Sequence, residues 1–362
     1  MTNPGRILVI QLRRIGDNIL TLPALAALKK TFPGAKIDFL AEPPADQLLN
    51  GNPSIDELLV YDPRRHFFWI RKIRARGYDW VIDFLGTPRS IAIAAASGAE
   101  IRAGAKDVFW SFLYNVEMKR YAEPRYAPSE KIKMLEPLGV KLNPREILPV
   151  LIPDPRAVAK AKEFLRGKGG PVLGVAPASR KITRQYPAEH FAQALKMINA
   201  ATGAKAVILW GPGELATAQR IIKLTPGISF LSPETKSLSD LAGLISCFDL
   251  LIANCNGPKH IAVATGVSTI TVHASSDPRN WTPPSPATGE PATTLSQYFG
   301  NTQAKRPVHL YVISSMPCAP CRKNECADLR CLTEMPPGAI ADRAIEILRI
   351  GQPTQLPSEA DV

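Results

Sequence analysis

A glycine-containing turn with an acidic residue follows the first apolar segment of the chain, RILVIQL (6–12). In RRIGDNILTLPAL (13–25), Gly16 allows the chain to bend and Asp17 lies near the start of a predicted helix. Such a turn directs free backbone N–H groups and the positive end of the helix dipole toward the edge of a sheet. Two interpretations of Asp17 stay open. It serves only as a helix cap worth about 1 kcal/mol, or it is an ionised carboxylate that accepts a proton from a bound hydroxyl.

A second turn of this kind lies in DLLIANCNGPKHIAVATG (249–266). Gly257 allows close approach of the backbone, Pro258 suits the first helical turn, and Lys259 and His260 follow where an anion would rest. Two cations and a helix N-terminus suit a diphosphate better than a neutral ligand. The alternative is a loop that needs glycine and proline only for its turn.

Hydroxyl and basic side chains are concentrated in ASRKITRQYP (178–187), directly after another apolar segment. Ser179, Lys181 and Arg184 are its candidate ligand-binding residues, and a solvated basic loop is the alternative. Glu214 opens a predicted helix after WGPG. It is either a partner of the helix dipole or a carboxylate that binds a ribose hydroxyl.

Four cysteines are grouped in CAPCRKNECADLRCL (318–332). Cys318, Cys321, Cys326 and Cys331 could close a tetrahedral metal site. Their spacing is tight for a zinc ribbon, so reduced or redox-active thiols in a loop are the alternative.

Basic and aromatic residues alternate in RRHFFWIRKIRARGYDW (64–80). Nucleic acid or a membrane surface would explain this pattern, and so would an amphipathic helix that buries Phe68 and Ile73. The chain lacks GxGxxG after its first strand and lacks GxxxxGK[ST] altogether. The usual fingerprints of dinucleotide and P-loop binding are therefore missing.

Composition limits the class of protein. The 362 residues predict two domains, and 45% hydrophobic with 21% charged residues excludes collagen-like and wholly disordered chains. Lys and Arg (44) outnumber Asp and Glu (32), and the net charge of +12 favours anionic partners. No apolar run approaches the roughly 20 residues of a membrane span. The opening segment is typical of a strand rather than a signal peptide, so a cytoplasmic protein is expected.

The elements that position these residues alternate along the chain, as a parallel sheet with crossover helices requires. Predicted strands are 6–12, 36–42, 57–62 and 79–86, then 171–177, 204–211, 228–232, 249–254 and 268–274; predicted helices are 18–30, 67–76, 188–201, 214–224, 238–247, 258–265 and 337–349. The stretch 277–301 is long and irregular, so it is either functional or partly disordered. The sequence predicts an α/β protein with two doubly wound, Rossmann-like domains that face a cleft. The predicted units are residues 1–150, a linker at 151–170, a second domain at 171–335, a helix at 336–352 and a tail at 353–362.

Taken together, these segments resemble glycosyltransferase family 9, the ADP-heptose:lipopolysaccharide heptosyltransferases, over residues 6–349. The best matches are the segment that begins RRIGDNIL, NPSIDELLVYD, ASRKITRQYPAEHF, NCNGPKHIAVATG, DPRNWTPP and the closing cysteine-rich segment. The resemblance implies a GT-B fold and an inverting glycosyltransferase that requires no cofactor or catalytic metal.

The resemblance also implies roles for individual residues. Asp17 stands in the place of the catalytic base, and Arg13, Arg14 and Gly16 lie on the acceptor side. The implied donor-binding residues are Ser179, Lys181, Arg184, Glu214, Cys255, Asn256, Gly257 and His260. Cys255 and Asn256 stand where the family pattern D-[ST]-G-x-x-H has Asp and Ser or Thr.

The implied reaction moves a heptose or similar sugar from a nucleoside-diphosphate donor, with ADP-heptose favoured. The acceptor is a lipid-linked or core saccharide of lipopolysaccharide or a related cell-envelope glycan. Residues 64–76 would dock on anionic headgroups, as in a peripheral protein on the cytoplasmic face of the bacterial inner membrane. No nucleic acid partner is expected. Three alternatives stay open: a family member with another nucleotide sugar or acceptor, a doubly wound oxidoreductase, and a non-catalytic nucleotide-binding module.

Overall fold

Two six-stranded parallel sheets, one in each half of the chain, carry the structure. The computed structural model describes residues 3–350. The first half contains β1 (Arg6–Ile10), α1 (Ile15–Ile19), α2 (Leu22–Thr31), β2 (Lys36–Ala41), α3 (Asp46–Leu49), β3 (Glu57–Val60), α4 (His66–Ala75), β4 (Trp80–Asp83), α5 (Pro88–Ala96), β5 (Ile101–Gly104), β6 (Val116–Glu117) and α6 (Ala127–Met134).

The second half repeats this alternation. It contains α7 (Pro155–Leu165), β7 (Val172–Ala176), α8 (Ala188–Thr202), β8 (Lys205–Ile208), α9 (Leu215–Leu224), β9 (Ser229–Leu231), α10 (Leu238–Ile245), β10 (Leu250–Asn254), α11 (Gly257–Ala264), β11 (Ser268–His273), α12 (Pro278–Trp281), α13 (Leu295–Phe299), β12 (His309–Ile313), α14 (Arg330–Thr333) and α15 (Gly338–Arg349).

The strand order confirms the predicted fold class. The first sheet runs β3-β2-β1-β4-β5-β6 and the second runs β9-β8-β7-β10-β11-β12, so both have the doubly wound order. Every pairing between neighbouring strands is parallel. The strands are apolar because helices cover both faces of each sheet. Two such domains facing one another form the GT-B architecture.

The two halves pack directly on each other. Gln47 Oε1 accepts a hydrogen bond from Leu238 N at 2.8 Å, and Asn280 Nδ2 donates to Arg125 O at 3.2 Å. One apolar cluster contains residues of both halves. These contacts hold the carboxyl edges of the sheets on opposite sides of one cleft.

The predicted linker holds a helix, α7, that packs tightly against α10. A Cβ on Gly243 of α10 would lie only 2.5 Å from the Cβ of Ala157. The absence of a side chain at Gly243 therefore allows the two helices to approach. The limits of the domains, inferred from composition, stay a prediction.

Several elements differ from the expectation. The single helix predicted at 18–30 is two helices, α1 and α2, and the stretch 277–301 contains the short helices α12 and α13. Strands β5, β6 and β12 and helices α5 and α6 were not predicted, because their short segments show little hydrophobic periodicity. The predicted tail at 353–362 lies outside the described residues. Among residues 3–350, no helix has both the length and the apolar character needed to cross a bilayer.

Candidate active site

The predicted site residues follow the strands at which the order of each sheet reverses. Asp17 comes after β1, which lies beside β4, and the segments 178–187 and 255–260 follow β7 and β10. In a doubly wound sheet, ligands bind outside the carboxyl ends of the strands at this switch point. The topology thus puts the acidic turn on one wall of the cleft and the basic loops on the other.

The turn that carries Asp17 is tightly bonded. The carbonyl oxygen of Arg14 accepts hydrogen bonds from Asn18 N at 3.0 Å and from Asn18 Nδ2 at 2.8 Å. Arg14 has a φ of 56°, in the left-handed region that non-glycine residues rarely occupy. This conformation turns the chain sharply from β1 into α1, which positions Asp17 in the first turn of that helix.

Burial and nearby positive charges have opposite effects on the pKa of Asp17. Burial raises the pKa of its carboxyl above the ordinary value, while the positive charges of Lys131, Arg14 and Arg180 lower it. Arg180 belongs to the opposite wall of the cleft, so cations from both domains surround this carboxylate. The Asp17 side chain makes no hydrogen bond within the described residues, and the N-cap position of α1 is Arg14, so the structure does not support Asp17 as a helix cap.

The two walls meet at Gly16 and His260. A Cβ on Gly16 would lie 3.0 Å from His260 Cδ2. His260 is buried and also packs edge-on against Trp281, with ring centroids 6.1 Å apart. Burial, together with the charges of Lys259 and His273, keeps the pKa of His260 well below 6.5, so its imidazole is neutral at neutral pH.

Asn256 fixes the start of α11. Its Oδ1 caps the helix by accepting from Lys259 N at 3.4 Å, and its Nδ2 donates to Ala176 O at 3.2 Å and to Ala178 O at 2.9 Å. A single side chain therefore joins the helix to the loop after β7. A Cβ on Gly257 would meet no atom within 4 Å, so the space in front of this helix is open.

Lys259 differs from the expectation of an exposed cation at the helix start. Its side chain is fully buried and its Nζ donates to the carbonyl of Trp281. Burial lowers the pKa of Lys259 to about 8; the neighbouring Cys255 raises it and the Arg184 guanidinium lowers it. As the third residue of α11, Lys259 faces the interior of the domain, a direction that the turn motif alone does not reveal.

The loop at 178–187 lies beside the start of α11. Ser179 Oγ accepts from Lys181 N at 3.3 Å, and a 3₁₀ turn at Ile182–Arg184 follows. Thr183 is buried, and its Oγ1 donates to Lys323 O at 3.0 Å. The Nε atom of Arg184 is buried without a hydrogen-bond partner among the described residues.

Glu214 lies at the same edge of the second sheet, after β8. Its Oε2 accepts from Gly211 N at 2.9 Å, so one oxygen closes the turn WGPG before α9. On the first domain, Arg13 lies 3.8 Å from Glu42 and Arg14 is exposed. The ligand-binding roles of these three residues remain predictions.

The cysteine-rich loop holds free thiols. Cys318 and Cys326 are exposed, and Cys321 and Cys331 are partly buried. Burial and the nearby thiols of the other three raise the pKa of Cys331. In residues 3–350, no three His, Cys, Asp or Glu side chains are grouped to hold a metal ion, so the structure does not support the proposed structural metal.

Sequence reasoning missed Lys131. This residue of α6 donates through Nζ to Gln11 Oε1 at 2.9 Å and lies 4.7 Å from the centre of the Phe84 ring. Gln11 Nε2 in turn donates to Arg13 O at 2.9 Å, which connects Lys131 to the turn of Asp17. More than 100 residues separate Lys131 from that turn, and no local pattern signals the contact.

Opposed sheet edges with an acidic turn on one wall and basic loops on the other define a two-domain α/β enzyme of the GT-B class. The model of glycosyltransferase family 9 (heptosyltransferase) matches residues 67–307, and the chain belongs to this family. It is therefore a glycosyltransferase.

Individual proteins show the same relationship. A putative glycosyltransferase of Haemophilus influenzae is 26% identical over 300 residues, which cover 77% of this chain and 86% of that protein. The structure of a family 9 glycosyltransferase from Veillonella parvula superposes with a TM-score of 0.77 at 22% identity, covering 95% of this chain and 97% of the other. The ADP-heptose lipopolysaccharide heptosyltransferase II of Escherichia coli gives a TM-score of 0.70 at 15% identity, covering 95% and 98%.

Proposed function

We propose that this chain is an inverting glycosyltransferase that moves a heptose or similar sugar from a nucleoside diphosphate to a lipopolysaccharide core or related cell-envelope saccharide. The observation that carries the proposal is the contact of Gly16 with His260 across the cleft. It brings the turn of Asp17 next to the helix that begins at Gly257. A general base and an anion-binding helix are thereby available to one bound sugar.

Asp17 would act as the base. As the hydroxyl oxygen of the acceptor attacks the anomeric carbon, its proton passes to the Asp17 carboxylate. The bond from the anomeric carbon to the donor phosphate oxygen breaks on the opposite face, so the configuration inverts. The proposed reaction requires no cofactor or metal, because the proton goes to a side chain and the diphosphate leaves as an anion.

The opposite wall would receive the departing diphosphate. The buried Arg184 Nε and His260 Nδ1 have no hydrogen-bond partner among the described residues, and buried polar groups are normally paired. Together with the amides of α11 and with Ser179 and Lys181, they suit phosphate oxygens. Preorganised donors of this kind often contribute most to catalysis.

The observations that bear on the donor point in two directions. The E. coli relative is named for ADP-heptose, and Glu214 lies where a carboxylate could bind the ribose; both favour ADP-heptose. Cys255 and Asn256 differ from the family pattern at the start of α11. A different nucleotide sugar in the same site is therefore the second candidate.

The acceptor we propose is lipid-linked or a growing core saccharide, made at the cytoplasmic face of the inner membrane. An enzyme there would be a cytoplasmic, peripheral protein, and the basic segment 64–76 would contact the anionic surface. Nucleic acid is not a proposed partner.

Transfer activity and nucleotide binding test this function together. We would compare wild type, Asp17→Asn and the matched exposed variant Asp342→Asn with ADP-heptose and a lipopolysaccharide acceptor lacking the outer sugar. Loss of at least about a hundredfold in rate for Asp17→Asn alone supports the base. Full activity in folded Asp17→Asn contradicts it.

A thermal-shift panel with ADP, UDP, GDP, CDP and NAD then identifies the donor base. A ligand at 100 times its Kd stabilises a protein by about 2.7 kcal/mol, a shift of several degrees or less for a chain of this size. Stabilisation by ADP that is lost in Arg184→Ala and kept in the exposed control Arg156→Ala supports the ADP donor. Selectivity for another nucleoside diphosphate replaces the donor, and a response to NAD alone overturns the proposal.

A further inference from the structure

Large aromatic side chains reach solvent at the carboxyl edge of the first sheet. Phe67 of α4 is 81% exposed, and Phe109 and Phe112, in the connection from β5 to β6, are 83% and 78% exposed. Phe68 and Trp110 beside them are more than 40% exposed. Phenylalanine is mostly buried in proteins, and grouped exposed apolar residues mark interaction sites.

One interpretation of this segment is an amphipathic helix that buries Phe68 and Ile73; the structure confirms it for Ile73 and corrects it for Phe68. In α4 it is Trp69 and Ile73 that enter the core, while Phe67 and Phe68 point outward. An amphipathic helix with core contacts therefore accounts for only part of this segment. The first turn of α4 also carries Phe67 and Phe68, whose rings are exposed to solvent.

Both aromatic segments lie on the same face of the sheet. Trp69 of α4, Ile91 of α5 and Tyr114 belong to one apolar cluster, so α4 and the β5–β6 connection cover that face on either side of α5. Helix α4 starts after β3 and the connection starts after β5, and the strands are parallel. The rings therefore occupy one edge of the domain, the edge at which Asp17 follows β1.

Cations accompany the rings. The Arg65 guanidinium lies 4.2 Å from the centre of the Phe68 ring, and Lys72 Nζ lies 4.6 Å from that of Trp69. Arg71 is exposed one helical turn after Phe67. Three acidic residues of these segments have basic neighbours: Asp62 pairs with Arg64 at 3.1 Å, Asp107 with Arg120 at 3.5 Å and Glu117 with Lys106 at 3.8 Å.

We propose that the first two turns of α4 with the two residues before them (residues 64–72) and the loop 109–112 form a membrane-docking surface that inserts its aromatic rings into the interface of an anionic bilayer. Aromatic side chains favour the headgroup level of a bilayer, and neighbouring Lys and Arg bind its negative surface. A second copy of the chain would bring the same cations against each other, so charge favours the bilayer. The inference rests on the proposed function in one respect, because a lipid-linked acceptor would then meet the enzyme at the edge that carries Asp17.

The test measures binding of the full chain to vesicles without nucleotide or acceptor. Vesicles of phosphatidylcholine alone are compared with vesicles that contain about 30 mol % phosphatidylglycerol, at low and high salt. We expect binding to the anionic vesicles only, weakened by salt. The variant Phe109→Ser with Phe112→Ser should reduce partitioning about tenfold or more, and Arg65→Glu with Lys72→Glu should abolish the lipid-charge preference.

A matched control carries Val150→Ser and Ile152→Ser, which replace two exposed apolar residues at the boundary between the predicted first domain and the predicted linker, 62% and 66% exposed. It should bind vesicles like wild type. Equal binding to neutral vesicles, unchanged binding of the Phe109→Ser, Phe112→Ser variant, or a dimer that this variant dissociates would each overturn the docking surface. Binding of ADP, UDP, GDP and CDP to the same proteins is measured in parallel, because a wild-type protein that binds none of these nucleotides would refute the proposed function without affecting vesicle binding.

Discussion

Gly16 and His260 contact each other across the cleft, so the candidate base and the candidate anion site are coupled through one close approach. A Cβ at position 16 would lie 3.0 Å from His260 Cδ2. Gly16 does not adopt a positive φ. The requirement for glycine therefore comes from the opposing domain rather than from the backbone of the turn.

Gly16→Ala is expected to push α1 away from α11 by a few tenths of an ångström and to reduce transfer about tenfold or more, since small misplacements of reacting groups are costly. The free energy of unfolding should change little. Gly34→Ala is the control, because a Cβ there meets no atom within 4 Å. Steady-state kinetics of both variants check this, and equal activity of Gly16→Ala and wild type would show that the contact does not position the site.

The pH dependence of transfer should reflect the surroundings of Asp17. Burial raises the pKa of this carboxyl, so the rate should fall as the pH drops through a value above that of an ordinary aspartate. Of the positive charges that lower this pKa, Lys131 has the largest effect, followed by Arg14 and Arg180. Lys131→Met should therefore move the acidic limb of the kcat/KM profile to higher pH, and Lys131→Arg should restore it. If the acidic limb of the Lys131→Met profile lies at the same pH as in wild type, the Lys131 charge does not affect the ionisation of Asp17.

Asp17→Asn should also leave the protein at least as stable as wild type near pH 7. A carboxyl with a raised pKa binds its proton more tightly in the folded state, so ionising it above that pKa costs stability. Removing the charge removes this cost. Thermal unfolding at pH 7 and at pH 4 tests the sign: the gain from Asp17→Asn should be present at the higher pH and shrink as the pH falls through the pKa of Asp17.

The sequence predicted the fold and the turns of the site because these depend on local patterns. Alternating apolar and helical segments imply doubly wound sheets, and the carboxyl ends of their strands bring Asp17, Arg184 and His260 to one cleft. The direction of a side chain within a turn was not predictable. Lys259 faces the core although its motif suggests a ligand, and Lys131 reaches the site from a helix with no local signature. Both outcomes depend on tertiary packing.

Asn256 has a structural role that its position in the motif does not indicate. Asn256→Ala removes the cap of α11 and two bonds to the loop after β7, and should cost about 1–2 kcal/mol of unfolding free energy. Asn256→Ser keeps a capping oxygen and loses the two bonds from Nδ2, so it should lie between wild type and alanine. Urea denaturation of the three proteins measures the order. A serine variant as stable as wild type would mean that the bonds to Ala176 and Ala178 contribute nothing.

The charge of Lys259 should make binding of the proposed diphosphate depend on pH. Burial lowers the pKa of Lys259 to about 8, so its ammonium is charged below that pH and neutral above it. Burial and the Lys259 charge keep the pKa of His260 and the pKa of His273 well below 6.5, so both imidazoles stay neutral over this range. A diphosphate in front of α11 should therefore bind more weakly at pH 9 than at pH 7. Cys255→Asp would add a carboxylate beside Lys259 and raise its pKa, so the variant should lose less affinity over the same interval. Isothermal titration calorimetry with ADP at pH 7 and pH 9 tests this prediction. Equal losses of affinity in wild type and Cys255→Asp would mean that the charge of Lys259 does not affect the bound phosphate.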